Sequence, residues 1–302
     1  MSSWNFYHLP HTLAEALAIL QNDPHSKVIA GGTDLLLELQ QGRHAPVKSL
    51  VDLTQIADLQ RLEVLEQALW IGAGVPLNRL VAWQPAQRYA TALIEAAGLI
   101  GGPQVRNVAT LGGNVAHALP AADGAIALLA LDAAVILATP EGKRTQSLLA
   151  CYAGPGKTAL QRTEIIVAFQ VPLSRKGEAS AFRRVMRPQG VAIAIQNMGI
   201  WLRREGETIA DIRIAVGPAG PTPLRAHRTE ETLRGKPPTE ENLAEAEKAL
   251  LSEARFRTSP HRATAEYRMH LAGVLLRQTL QAAWERTQTI ESETVPLAVK
   301  GS

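Results

Sequence analysis

A chain of 302 residues with 46% apolar and 20% charged residues has the composition of a folded globular protein large enough for two domains, which excludes a disordered or fibrous one. Lys and Arg exceed Asp and Glu by only three, 31 against 28, and no basic run carries interleaved aromatics, so no nucleic acid partner is expected. The single cysteine, Cys151, rules out an intrachain disulfide and any all-cysteine iron–sulfur or zinc site built from this chain alone.

The opening Met1-Ser2-Ser3-Trp4-Asn5 has neither the basic nor the apolar part of a secretory leader. The longest apolar stretch, 124–138, is interrupted by Asp132 and too short to cross a bilayer, so the expectation is a cytoplasmic protein without a membrane span. Thr12-Leu13-Ala14-Glu15 reads as a capping box. It starts a helix whose Leu13, Leu17 and Leu20 share one face, until Asn22-Asp23-Pro24 stops it. Lys27-Val28-Ile29-Ala30 reads as a short buried strand and 35–39 as the next helix, with Gly31-Gly32 where strand becomes helix. Glycines there allow backbone to come close to a ligand, and the unpaired amides of a first helical turn favour an anion. Thr33 or Asp34 can supply a capping oxygen, and this loop taken alone reads equally as an ordinary capped turn.

Strands are expected at 47–53 and 69–73, and helices at 77–83 and 89–97. A second glycine loop follows in Thr110-Leu111-Gly112-Gly113-Asn114, where a hydroxyl and an amide flank a pair open to close approach. Such groups suit phosphate and ribityl oxygens, and the two loops together look like a cradle for a flavin diphosphate. Asp123, after Leu119-Pro120-Ala121-Ala122, sits where a first helical turn belongs and reads as a cap before it reads as a ligand. Helix 123–131 then leads to strand 133–138, a turn at Pro140-Glu141-Gly142-Lys143, and strand 164–171 ending at Pro172.

Gly154-Pro155-Gly156-Lys157-Thr158 ends like a phosphate-binding P-loop, but Cys151 stands where the first glycine of that pattern belongs. Its fit to Gly-x-Gly-x-x-Ala through Ala159 follows no clear strand and contains Pro155, so a dinucleotide fold is not expected. Ser174-Arg175-Lys176-Gly177-Glu178 is polar and turn-rich and reads as a domain boundary. Arg183, Arg184 and Arg187 read as a solvated basic face or as a contact for an anionic cofactor or partner. Strands 192–203 and 209–216 meet across Glu205-Gly206, and Pro218, Pro221 and Pro223 break the pattern. Amphipathic helices follow at 239–253 and 263–286, the second with Leu271, Leu275 and Leu276 on one face, and the residues after Thr287 read as a tail.

The motifs Val28-Ile29-Ala30-Gly31-Gly32-Thr33-Asp34, Gln104-Val105-Arg106-Asn107, Thr110-Leu111-Gly112-Gly113-Asn114, Pro120-Ala121-Ala122-Asp123 and Gly154-Pro155-Gly156-Lys157-Thr158 come in the order seen in one family. The chain resembles the FAD-binding medium subunit of molybdenum hydroxylases, the group of xanthine dehydrogenase and aerobic carbon monoxide dehydrogenase. The likeness runs on through Ala265-Glu266-Tyr267-Arg268 and Leu271-Ala272-Gly273-Val274-Leu275, so it covers residues 4–286. Each motif is unspecific alone; the ordered set is specific.

The resemblance implies an α+β protein: a two-lobed FAD-binding domain of the PCMH type, not a Rossmann domain, followed by a smaller α+β domain of antiparallel sheet and helices. Its implied limits are 1–175, with lobes of about 1–55 and 56–175, then 176–287 and a tail of 288–302. Carried over, Ile29, Ala30, Gly31, Gly32, Thr33 and Asp34 line the first loop, and Thr110, Gly113, Asn114 and Asp123 hold phosphate and ribityl groups, while Ile100, Ile166 and Arg183 match further contact positions.

The implied function is electron transfer through FAD. A molybdenum cofactor resides in a large partner subunit and two 2Fe-2S clusters in a small one, expected as a dimer of heterotrimers, with delivery to an external acceptor such as a quinone, NAD or oxygen. The chain departs from the family at Gly102, where His is common, at Leu119, where Ser is frequent, and at Arg183, where Lys is frequent. The acidic residue usual after the arginines is also missing around Arg187-Pro188-Gln189-Gly190. Two alternatives stand beside this reading: a free-standing FAD oxidoreductase of the same fold, and a non-redox nucleotide-binding module.

Overall fold

The computed structural model describes residues 4–187, 193–260 and 262–290. The chain begins with β1 (Phe6–His8), α1 (Leu13–Asn22), β2 (Ser26–Ile29), α2 (Leu35–Gln40) and β3 (Ser49–Asp52). The three strands form a parallel sheet of order β1-β3-β2 in which every residue of the central β3 is buried. Thr12 caps α1 as its sequence predicts, its hydroxyl accepting from Glu15 N at 3.2 Å. The reciprocal bond goes one residue further back, from His11 N to Glu15 Oε2 at 2.8 Å.

A second sheet contains β4 (Leu62–Val64), β5 (Ala68–Gly72), β6 (Ala134–Thr139), β7 (Gly142–Ser147) and β10 (Ile165–Pro172), in the order β4-β5-β10-β6-β7 and antiparallel throughout. Between β7 and β10 lies the small pair β8 (Tyr152–Gly154) and β9 (Lys157–Thr158). Central β10 reads Ile-Ile-Val-Ala-Phe-Gln-Val-Pro and is buried over most of its length, because helices cover one face and the first sheet's α1 the other. Leu17, Leu20 and Val51 of the first lobe pack with Ile136, Ile165 and Val167 of this sheet.

The connection from β5 to β6 is a helical layer: α3 (Leu77–Ala82), α4 (Gln84–Tyr89), α5 (Thr91–Leu99), α6 (Pro103–Arg106), α7 (Leu111–Ala116) and α8 (Asp123–Ala130). Every residue of α8 is buried, consistent with a sequence that is apolar all round apart from its first residue. At about 1.5–3 kcal/mol for each fully buried large apolar side chain, Ile126, Leu128 and Leu129 make this helix a main anchor of the layer.

The third sheet is antiparallel, β11 (Glu178–Val185), β12 (Gln196–Glu205), β13 (Thr208–Gly217) and β14 (Leu224–Arg225), backed by α9 (His227–Leu233), α10 (Glu240–Glu253) and α11 (Ala265–Ile290). Alternation along β12 sends Met198, Ile200 and Leu202 toward Ala272, Leu275 and Leu276 of α11, while Trp201 joins the core shared with α8. The sheet therefore carries a core on each face.

Sequence reading misses several elements, among them α4 and β11. The helix α4 is hidden by Pro85, which is tolerated because it sits in the first turn. The strand β11 follows directly on the expected boundary at Ser174–Glu178, where turn residues mask the short buried run from Ala179 to Phe182. The strand predicted over 192–203 begins at Gln196, and α11 runs on to Ile290 past the expected start of the tail. Residues 188–192 and 291–302, which include Pro188-Gln189-Gly190 and most of the expected tail, lie outside the described residues.

Candidate functional site

The first glycine loop leaves β2 at Ile29, whose side chain is buried, and enters α2 at Leu35. Gly32 has φ +68°, a left-handed conformation that glycine adopts without the Cβ penalty. Asp34 occupies the cap position of α2 in a helical conformation and makes no side-chain cap bond, so the expected cap from Thr33 or Asp34 is not formed. Among the described residues, the amides of Gly31, Gly32, Thr33 and Asp34 donate to no acceptor. Four adjacent donors are thus left for a ligand or solvent.

The second loop is satisfied internally only in part. Thr110 is buried and its Oγ1 accepts from Gly113 N at 3.0 Å, while Asn114 N donates to Thr110 O and Gly112 N to Ala73 O, each at 3.0 Å. Thr110 therefore caps α7 by accepting through its hydroxyl oxygen, while among the described residues its O–H donates to no acceptor and is left for a ligand. Asn114 is the outstanding group: its Oδ1 is buried and accepts no hydrogen bond. An unsatisfied buried acceptor costs about 1–3 kcal/mol, and a ligand hydroxyl or amide reaching it returns that energy.

The two loops meet. A Cβ at Gly31 would overlap the Val108 carbonyl and stand 2.9 Å from Ala109 Cα, so the missing side chain admits the segment that leads into Thr110. Gly112 plays the same part against Ala73, whose Cβ would lie 2.7 Å away. At Gly113, by contrast, a Cβ would meet only Thr110 Oγ1, at 3.2 Å, and its remaining surroundings are open. Glu38 of α2 and His117, just after α7, approach to 3.8 Å and join the two loop regions a second time. Gly156 N donates to Ala118 O at 3.0 Å, so the P-loop-like segment forms the β8–β9 turn beside the end of α7.

Asp123 opens α8 next to this loop: a Cβ on neighbouring Gly124 would stand 2.7 Å from Asn114 Oδ1. Both of its carboxylate oxygens are engaged, Oδ2 by Arg184 Nη1 and Oδ1 by Asn197 Nδ2, each at 2.5 Å. Burial pushes its carboxyl up, while Arg184 and Asn197 pull it back toward the charged form. Asn197 also donates to Ala121 O at 3.1 Å, so it fixes the segment entering α8. Arg184 and Asn197 face each other in the β11–β12 register. The sequence gives no sign of this pair, because Arg184 and Asn197 lie 61 and 74 residues from Asp123.

The basic cluster is not a uniformly solvated face. Arg184 has a side chain only 6% exposed, and Arg183 donates to Glu95 Oε1 at 3.0 Å. Glu95 also accepts from Phe182 N and from Arg286, linking α5 to β11 and α11. Burial pushes the Glu95 carboxyl up, but these donors win and hold it below its ordinary value. Arg187 is exposed. Ile166 is buried in β10 beside a bulge, and Ile100 caps α5 with its carbonyl accepting from Arg106 at 3.2 Å. The structure thus brings 29–34, 110–114 and 123 together, and places Ile100 and Ile166 in or against the core of the helical lobe.

Comparison with known proteins matches most of the chain to one family. Residues 2–174 match the family model described as the FAD binding domain in molybdopterin dehydrogenase, and 180–283 match the CO dehydrogenase flavoprotein C-terminal domain. The chain is 32% identical to the xanthine dehydrogenase FAD-binding subunit of Escherichia coli O157:H7, covering 92% of this chain and 95% of that one. It is likewise 32% identical to the carbon monoxide dehydrogenase medium chain of Hydrogenophaga pseudoflava, covering 93% and 97%. Among solved structures, the carbon monoxide dehydrogenase of Hydrogenophaga pseudoflava that lacks the Mo-pyranopterin moiety superposes with a TM-score of 0.88 at 32% identity, over 93% of this chain and 97% of that one.

Proposed function

From the premise that the chain belongs to the family of FAD-binding subunits of molybdopterin dehydrogenases, we propose that it is the electron-transferring FAD subunit of a molybdenum hydroxylase. In this reading it takes electrons from 2Fe-2S clusters of a small partner subunit and passes them through FAD to an external acceptor. A large partner subunit with the molybdenum cofactor oxidises the organic substrate. The complex is a dimer of heterotrimers in the cytoplasm, and among the described residues no helix is long and apolar enough to cross a membrane. The chain divides at 175/176 into the FAD-binding domain and the C-terminal domain, with 288–302 as tail.

The observation that carries the cofactor assignment is the pairing of four unengaged amides at 31–34 with the unpartnered Asn114 Oδ1 across the Gly31–Val108 contact. Those residues fit FAD. The amides would take the anionic pyrophosphate, and Asn114 Oδ1 would accept from a ribityl hydroxyl. Open space at Gly113 lets a ligand approach the backbone. Asp123, with both oxygens engaged, acts by holding the start of α8 under Asn114. Arg183, turned to Glu95, places a guanidinium at the edge of β11 where the family has a further contact. When bound, FAD supplies the exchange between one-electron and two-electron carriers. The protein's part is to bind and orient it; among the described residues no three His, Cys, Asp or Glu side chains converge as a metal site.

The test is anaerobic mixing of the FAD-loaded chain with its reduced iron–sulfur partner subunit, following flavin absorbance. Bleaching of the flavin on the timescale of turnover is the expected result. A flavin that stays oxidised beside reduced clusters would remove the electron-transfer role, whatever the chain binds.

A further inference from the structure

The stretch 255–268, which joins α10 to α11, carries Arg255, Arg257, Arg262 and Arg268 against one acid, Glu266. Among the described residues none of these four guanidinium groups reaches a carboxylate, whereas Arg203, Arg225 and Arg277 of the surrounding elements are all paired. The connection is tightly folded. Ser259 N donates to Ala263 O at 2.9 Å, Arg262 N to Ser259 O at 3.1 Å, and Ala265 N to Thr258 Oγ1 at 3.0 Å. This brings Arg257 and Arg262 beside the first turns of α11.

Arg268 lies beneath them, only 2% exposed, with one amino group donating to Ile195 O and its Nε buried without an acceptor. Burial first, then the fields of Arg262 and Arg257, pulls its guanidinium below its ordinary value, so the three charges sense one another. Like charges held together in this way are relieved by an opposite charge brought to the same place.

Exposed apolar side chains flank this cluster, with the exposed polar Glu266 and His270 on the outer side of the same turns. Tyr267 and Met269, on either side of Arg268, are 45% and 40% exposed, and Ile193, two residues before its acceptor Ile195, is 47% exposed. Arginine, tyrosine and methionine are the side chains enriched in protein–protein interfaces. A nucleic acid would ask for a longer basic stripe than a chain of net charge +3 provides. A small anion would leave Ile193, Tyr267 and Met269 uncovered.

We propose that this surface docks an acidic patch of a partner protein subunit, whose carboxylates pair with Arg257 and Arg262 while its apolar rim covers Tyr267, Met269 and Ile193. The proposal rests on the multisubunit reading above and adds to it the surface used and the charge of what it meets.

The test is isolation of the assembled complex through a tag on the full-length chain, with Arg257→Glu/Arg262→Glu as the variant and Arg175→Glu/Arg228→Glu as an equally charged control. All four positions are exposed, so FAD content should match the wild type in both. The expected result is loss of about tenfold or more of the co-purifying partner subunit from the 257/262 variant, against full retention in the control. The wild-type complex should also loosen as salt rises past about 0.15 M, where the screening length falls below about 8 Å. Retention of the partner in wild-type ratio by the 257/262 variant overturns the proposal and leaves the functional reading standing. Retention together with lost binding of inorganic phosphate would assign the surface to a small anion, which also overturns it. A wild-type chain that brings down no iron- or molybdenum-containing subunit overturns the functional reading and this surface with it.

Discussion

Gly31 and Gly113 look alike in the sequence, yet the structure gives alanine opposite consequences at the two positions. At Gly31 a Cβ would drive into the Val108 carbonyl and Ala109 Cα, which are backbone and cannot swing aside. The two loops must then move apart, at a cost typical of overpacking, about 1–3 kcal/mol. At Gly113 the added carbon meets only Thr110 Oγ1, at 3.2 Å, and lies inside α7, where alanine is favoured over glycine by about 1 kcal/mol. Gly31→Ala should therefore lower the melting temperature of the FAD-free chain, and Gly113→Ala should leave it unchanged or raise it slightly. Both should weaken FAD binding, the first by separating the loops and the second by putting a methyl group where the ligand approaches. A loss of about 10–100-fold corresponds to ~1.4–2.8 kcal/mol. Thermal unfolding without FAD and titration by quenching of flavin fluorescence separate the two effects. Wild-type FAD affinity in Gly113→Ala, or wild-type stability in Gly31→Ala, would refute the division of roles between the two glycines.

Further consequences follow from the buried charges and the loop backbone. Arg184→Met strands the Asp123 carboxylate in the interior and should destabilise the chain by about 3–5 kcal/mol, and adding Asp123→Asn should recover a measurable part by thermal unfolding. Gly32→Ala, forced into φ +68°, should cost about 1–2 kcal/mol of stability before any effect on FAD is counted. The Glu95 carboxyl is held below its ordinary value, so its ion pairs stabilise the native state above the unfolded pKa of about 4.3 and lose that contribution as pH falls through the lower folded value. Protection of the α11 amides, measured as exchange relative to the intrinsic rate at each pH, should accordingly fall on acidification below about pH 4.3, and Glu95→Gln should flatten that pH response. An α11 whose exchange has the same pH dependence in the variant would contradict the role given to Glu95.

The sequence makes the local parts of this molecule legible and leaves the long-range pairings hidden. The Thr12 helix cap, the strand-to-helix turn at Gly31-Gly32 and the apolar run of α8 are written in adjacent residues, and the structure forms each of them. What Gly31 does is not local: its neighbour is Val108, and only the folded chain shows that this glycine serves contact between loops. Thr110 is placed where its motif puts it, but its hydroxyl is used to cap α7, a role that the spacing to Gly113 could have shown. Asp123 reads as a cap or a ligand, and the structure adds an ion pair to Arg184 on β11, a strand that sequence reading does not predict. The fold class is recovered because ordered weak motifs identify the family.

The most direct measurement is the visible spectrum of the purified full-length chain after reconstitution, with acid release and identification of whatever is bound. FAD in a ratio of about one per chain, reduced sharply by Gly113→Ala, is the expected result. A chain that stays colourless after reconstitution, or that holds flavin equally well with alanine at both Gly31 and Gly113, would contradict the assignment of the paired loops as the FAD cradle.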